Sequence, residues 1–271
     1  YLFPKVVLFY AIALLSLAVF AYNSSRGEMF YFARLKAWIT WIPFVLLLIA
    51  YIASFTGVDF YKSFWSVFGR GAGLLQLTLS VTSFYLILIS ADQVFFRRFI
   101  RMVAIVGTLV ALWGIVEWLV TGGRISSSLA NPAFLAEYLA LSFFVTLVVG
   151  SSLSIPWRRI AYCGAILQLV AIILTATRGT ILALLIAGIL VLVYYSVFGT
   201  GKLRTWSLAG VLVFLVCASG FYLLRGILAS SSFAPVARIA QISTNDPDIA
   251  NRLFVWKHMV EEIGKQPFLG Y

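Results

Sequence analysis

Acidic residues are scarce in this 271-residue sequence, with nine Asp and Glu against 20 Lys and Arg and a formal net charge of +11. Charged residues of both signs make up only 11% of the chain, less than half of the ~25% usual in soluble domains. Cysteine is nearly absent: Cys163 and Cys217 are the two, and both lie inside apolar runs. They read as small hydrophobes, and neither a disulfide framework nor a metal cluster can be built from them. The positive charge comes without a basic run or a soluble nucleic-acid-binding module, which sets nucleic acid aside as a partner. A signal-peptide pattern, internal repeats and low-complexity segments are also missing. The sequence opens on Tyr1 rather than Met, which reads as a fragment at its start.

What fills the chain instead is apolar surface. Hydrophobic residues reach 62%, against roughly 45–50% in soluble domains. No water-soluble fold of this length could hide that much, so lipid must be the solvent. Aromatic residues at 16%, including eight Trp, suit a protein with two membrane–water interfaces to anchor. Apolar runs fall at 6–22, 38–55, 72–90, 102–121, 135–153, 160–177, 180–198 and 206–224. Each is near the ~20 residues that cross a ~30 Å hydrocarbon core as a helix. They lack the strict two-residue alternation of barrel strands, so an all-α polytopic membrane protein with about eight transmembrane helices is predicted.

The connections give that serpentine a direction. Arg26, Arg34 and Lys36 follow the first run, and Arg97, Arg98 and Arg101 the third. Arg158 and Arg159 follow the fifth, and Lys202 and Arg204 the seventh. The intervening connections carry fewer: Lys62 and Arg70, then Arg124, then Arg178. By the positive-inside rule the basic loops are cytoplasmic, and the second, fourth and sixth loops are extracytoplasmic. The chain from Arg225 onward falls outside too, which divides it into a transmembrane part, 1–224, and the start of an extracytoplasmic loop, 225–271. In that loop Asn245-Asp246-Pro247-Asp248 reads as a turn. Residues 250–263 space Leu253, Trp256, Met259, Val260 and Ile263 as a half-apolar helix for the membrane surface.

Ionisable groups at membrane depth are costly unless paired or wetted, so they are the first candidates for function. Glu117, Arg124, Glu137 and Arg178 gather on the predicted outer side. For each, an ion pair that fixes helix packing, or snorkelling at the interface, is the alternative. The run Thr175-Ala176-Thr177-Arg178-Gly179-Thr180 joins two spans with almost no loop. It sets a guanidinium beside the positive end of a helix, a combination suited to phosphate or pyrophosphate. Asn131-Pro132 reads as a helix start ahead of Glu137, with a plain cap as the alternative. Arg70 lies among aromatics and glycines at a helix entrance, where an aromatic belt with a lipid-facing Arg is the alternative. His258, the one histidine, sits on the predicted surface helix and reads as a polar-face residue, with a catalytic role as the alternative. The sequon at Asn23 falls on the cytoplasmic side and is discounted.

Four segments carry a family likeness: 63–75 (SFWSVFGRGAGLL), 129–141 (LANPAFLAEYLAL), 174–183 (LTATRGTILA) and 251–270 (NRLFVWKHMVEEIGKQPFLG). The Asn-Pro-x-x-Leu-Ala segment, the Thr-x-Thr-Arg-Gly turn and the closing Arg-x-x-x-Trp…Pro-x-x-Gly resemble, in matching order, signatures of the O-antigen ligase and O-antigen polymerase superfamily. The resemblance implies a GT-C-like membrane glycosyltransferase of the cell envelope, acting in polysaccharide or lipopolysaccharide biosynthesis on the outer side of the bacterial inner membrane. The implied donor is a glycan on a polyprenyl (undecaprenyl) pyrophosphate. The implied acceptor is a hydroxyl of lipid A-core, of another glycan or of a protein, with membrane lipids as the remaining partners. Neither a metal, a cofactor nor a nucleotide sugar is implied.

Residue by residue, the resemblance maps pyrophosphate binding onto Arg178, Arg70 and Arg252. Asn131, Glu137 and Arg124 are the candidates for glycan or acceptor. The family's proposed base is a histidine followed by Asn, beyond the Pro-x-x-Gly element. His258 precedes that element and is followed by Met259, so the catalytic histidine is expected beyond Tyr271. A transporter or flippase of an anionic lipid-linked glycan remains the alternative, as does a non-catalytic membrane assembly partner.

Overall fold

The computed structural model describes residues 3–27, 30–67, 73–241, 247–265 and 267. The chain divides into two compact units, Tyr1–Phe96 with Pro247–Tyr271, and Arg97–Asp246. Among the described residues the regular elements are all helical. In chain order the α-helices are α1 (Phe3–Ser25), α2 (Ile42–Thr56), α3 (Phe60–Trp65), α4 (Leu74–Ser90), α5 (Gln93–Thr121) and α6 (Pro132–Ser151). There follow α7 (Ile155–Leu174), α8 (Arg178–Phe198), α9 (Gly201–Leu223), α10 (Arg225–Leu228), α11 (Ala234–Ala240) and α12 (Pro247–Lys265).

All eight apolar runs form helices, and seven of these are long and apolar enough to cross a membrane. The eighth, α4, has 17 residues and rises only about 26 Å, at the short end of what spans a bilayer. The chain is therefore an all-α multi-pass membrane protein. One helix is longer than its apolar run: α5 begins nine residues before Met102 because Asp92 caps it, its carboxylate accepting from Phe95 N at 2.6 Å. The added turns hold Arg97, Arg98 and Arg101, which interrupt the hydrophobicity without interrupting the helix.

Several of the basic residues that follow the apolar runs close helix ends, Arg158 and Arg204 from the first turns of α7 and α9. Arg34 Nη1 donates to Leu88 O and Ala91 O at 2.8 and 2.6 Å, at the C-terminus of α4. Arg158 Nη2 donates to Leu153 O at 3.0 Å just past α6, and Arg204 Nε to Ser196 O at 3.1 Å near the end of α8. Each puts a cation where carbonyls lack partners and the helix dipole is negative.

In the first unit α1 and α2 pack on α4. Tyr85 donates to Thr40 O at 2.6 Å, and the Tyr51 and Thr78 hydroxyls meet at 3.0 Å. In the second unit α6 packs most extensively on α7, and α8 pairs with α9. The buried residues of α5 are Ala104, Gly107, Ala111 and Gly114, small side chains at three- and four-residue spacing that let helix backbones approach. Gln168, fully buried on α7, ties three helices together. Its Nε2 donates to Thr108 Oγ1 on α5 and to Thr146 Oγ1 on α6, both at 3.1 Å.

Candidate functional site

The turn between α7 and α8 is short and held from within. Thr175 is fully buried; its Oγ1 donates to Ile172 O at 2.7 Å and accepts from Thr177 N at 3.2 Å. These bonds hold Ala176 at φ +50°, a left-handed conformation that costs an L-residue on the order of 1 kcal/mol. Thr177 Oγ1 donates to Pro132 O at 3.3 Å, tying the turn to the start of α6. That hydroxyl therefore does not cap α8, and no other side chain does so from the N-cap position. Arg178 opens the helix, and beside Gly179 there is open space.

A second strap reaches the same place from α5. After Gly122 (φ +65°) the chain turns back, and Arg124 Nε donates to Thr175 O at 2.9 Å. Ile125, fully buried, plugs the core beneath the turn with Leu135, Ile172 and Ile181. Ser126 N and Ser127 N both donate to the Glu117 carboxylate, the Ser127 bond at 2.6 Å. Glu117 thus binds loop backbone rather than pairing with an arginine. Asn131 caps α6, accepting from Ala133 N at 2.8 Å, with Pro132 at the first helical position as its sequence predicts. Replacing Asn131 with Ala should lower stability by about 1 kcal/mol, seen as an earlier thermal unfolding transition in detergent.

The third contribution comes from a short helix in the polar tail. α11 packs on α7 and α8, burying Pro235, Ala237 and Ala240, and it carries Arg238. The segment is closed by Gln241 Nε2 donating to Ala229 O at 2.9 Å. Nε of Arg238 is buried without a hydrogen-bond partner among the described residues. Burial pushes the Arg124 guanidinium below its usual range, and the like charges of Arg238 and Arg178 push it further. Because arginine does not give up its proton in proteins, the proximity of three like charges makes this end of the second unit electropositive, a setting that favours an anion.

Of the candidates read from sequence, Arg124, Arg178 and the Asn131-capped start of α6 meet at this end of the second unit. Glu137 is exposed on the second turn of α6. Arg252 is exposed on α12, in the other unit, and Arg70 lies outside the described residues. His258 is exposed on the same helix, its Nδ1 3.2 Å from Phe254 O and its ring against Phe254. Arg238 was not among the sequence candidates. The signal that could have found it is Pro235 in the first turn of a helix, which marks a helix start three residues before Arg238.

The family model described as O-Antigen ligase matches residues 163–271, from the middle of α7 onward. Over these residues the chain is similar to that family, in line with the resemblance carried by the segments at 174–183 and 251–270. Arg178, Arg238 and Arg252 lie inside the match; Arg70, Arg124, Asn131 and Glu137 lie before it. Comparison with curated proteins and with solved structures finds no match.

Proposed function

We propose, from the O-antigen ligase similarity and the multi-pass helical fold, that this chain is a membrane glycosyltransferase that moves a glycan from a polyprenyl pyrophosphate to a hydroxyl acceptor. The observation that carries the reading is the gathering of Arg124, Arg178 and Arg238 at the uncapped start of α8. Guanidinium groups beside a helix N-terminus suit the phosphoryl oxygens of a pyrophosphate, and the apolar faces of the spanning helices suit its lipid tail. In the reaction the acceptor oxygen forms a bond to the anomeric carbon while the bond from that carbon to the pyrophosphate oxygen breaks. The electron pair leaves with the pyrophosphate, and the arginines stabilise the charge that develops there. The acceptor proton passes to a base; no described residue is assigned that role. Glu137, one turn into α6, is assigned to glycan hydroxyls. The topology that goes with this reading puts the turn on the extracytoplasmic side of the bacterial inner membrane, with α12 at the outer membrane surface; the family resemblance keeps Arg70 and Arg252 as separate candidates for pyrophosphate binding.

The purified full-length protein in liposomes should transfer glycan from a polyprenyl-pyrophosphate donor to a lipid or glycan acceptor. Movement of labelled donor between leaflets without any transfer would replace this reading with that of a flippase. Arg238→Ala should raise the donor KM about tenfold, the value of one charge-assisted contact of ~1.5 kcal/mol. Steady-state kinetics with varied donor would detect this, and an unchanged KM would remove Arg238 from the site.

A further inference from the structure

Glu117 sits on the last turns of α5, half-buried, and both its oxygens are taken by backbone N–H groups nine and ten residues further on. The loop it closes contains Arg124, and it ends in two residues with left-handed backbone, Ser127 at φ +49° and Ala130 at φ +59°. Non-glycine residues hold that conformation only where their surroundings impose it. At Ser127 the 2.6 Å bond from its N–H to the carboxylate is a contact that holds it there. Arg124 in turn spends Nε on Thr175 O and makes no hydrogen bond from either Nη to a described residue.

We infer that Glu117 is a positioning residue for donor binding, holding the 122–131 loop so that Arg124 stands over the α7–α8 turn with both Nη groups directed to an anion. The inference rests on the pyrophosphate reading above and extends it to a residue that touches neither donor nor acceptor. A carboxylate suits the task for a specific reason. It accepts from two adjacent N–H groups at once, while its charge is consumed by the loop and is not available to neutralise Arg124. An amide of the same shape offers one acceptor and brings a donor toward two donors, so it would hold the loop less well.

The test compares Glu117→Ala, Glu117→Gln and Arg124→Ala, alone and combined, in the full-length protein in liposomes. Glu117→Ala should raise the donor KM about tenfold with kcat changed less than about twofold, and Glu117→Gln should fall between it and wild type. Because Glu117 acts through Arg124, adding Glu117→Ala to Arg124→Ala should raise KM by less than about twofold further. A residue that merely stabilised the fold would have the same effect in both backgrounds. Equal effects in the two backgrounds, or a wild-type KM in a folded Glu117→Gln variant, would overturn the inference. Hydrogen exchange separates this result from failure of the pyrophosphate reading. The Ser126 and Ser127 amides should lose protection in both Glu117 variants whether or not the protein binds pyrophosphate. If they stay protected, Glu117 does not hold the loop. If protection is lost but Arg178→Ala leaves donor kinetics unchanged, the loop device stands and the pyrophosphate reading falls with the role proposed for it.

Discussion

Arg178→Ala in the full-length protein should lower glycan transfer from a purified lipid-linked donor by roughly a thousandfold, about 4 kcal/mol of transition-state stabilisation. The expected loss exceeds that for Arg238 because of where Arg178 is placed. It is the first residue of α8, so its guanidinium and the positive end of the helix act on the same charge. The turn that carries it is braced by three separate contacts: the Thr175 bonds, Thr177 to Pro132 O, and Arg124 to Thr175 O. A guanidinium on such a base needs little reorganisation as charge builds on the leaving pyrophosphate, which is what makes electrostatic stabilisation effective. Arg178→Lys keeps the charge but loses the planar fork, so it should recover only part of the activity. Measuring kcat and KM separately decides the mechanism. A loss confined to KM would make Arg178 a ground-state anchor, and unchanged transfer would remove it from the reaction.

The sequence was informative where a physical signal is local. Each apolar run became a helix, because ~20 contiguous apolar residues in lipid leave the backbone no other way to satisfy itself. The Asn131-Pro132 start and the Arg178 turn were legible for the same reason, since capping and helix polarity depend on neighbours in the chain. What could not be read is partnership across the chain. Glu117 and Arg124 are close in sequence and of opposite charge, which suggests an ion pair. The structure separates them, giving Glu117 to backbone N–H groups and Arg124 to a carbonyl 51 residues away. Arg238 lies in a polar stretch whose short helix is stabilised by packing on α7 and α8 rather than by its own periodicity. Seven residues are too few for helix propensity to act alone.

The loops can be held this closely only if the helices below them do not shift, and that demand falls on α5. Its buried stripe Ala104, Gly107, Ala111, Gly114 was present in the sequence, but a reading by apolar runs passes over small residues at interfaces. Gly107 is the tightest point. A Cβ there would overlap Ser142 Oγ on α6 and lie 2.7 Å from Ser142 Cβ, so rotating the serine cannot clear it. Gln168 Nε2, the group that bridges α5, α6 and α7, would be 3.1 Å away. Gly107→Ala should therefore force α5 and α6 apart and loosen the Gln168 bonds, costing about 1–3 kcal/mol. Gly107→Leu should prevent folding. The measurement is the fraction of protein that stays monodisperse in detergent as temperature rises. The remedy follows from the same geometry: Ser142→Gly removes the overlapping atoms, and in combination with Gly107→Ala it should recover most of the lost stability. The serine's own bond to Val103 O, 3.2 Å, is lost in that double variant. Recovery should for that reason stop short of wild type by about 1 kcal/mol. A Gly107→Ala protein as stable as wild type would mean that α5 and α6 do not pack through this contact.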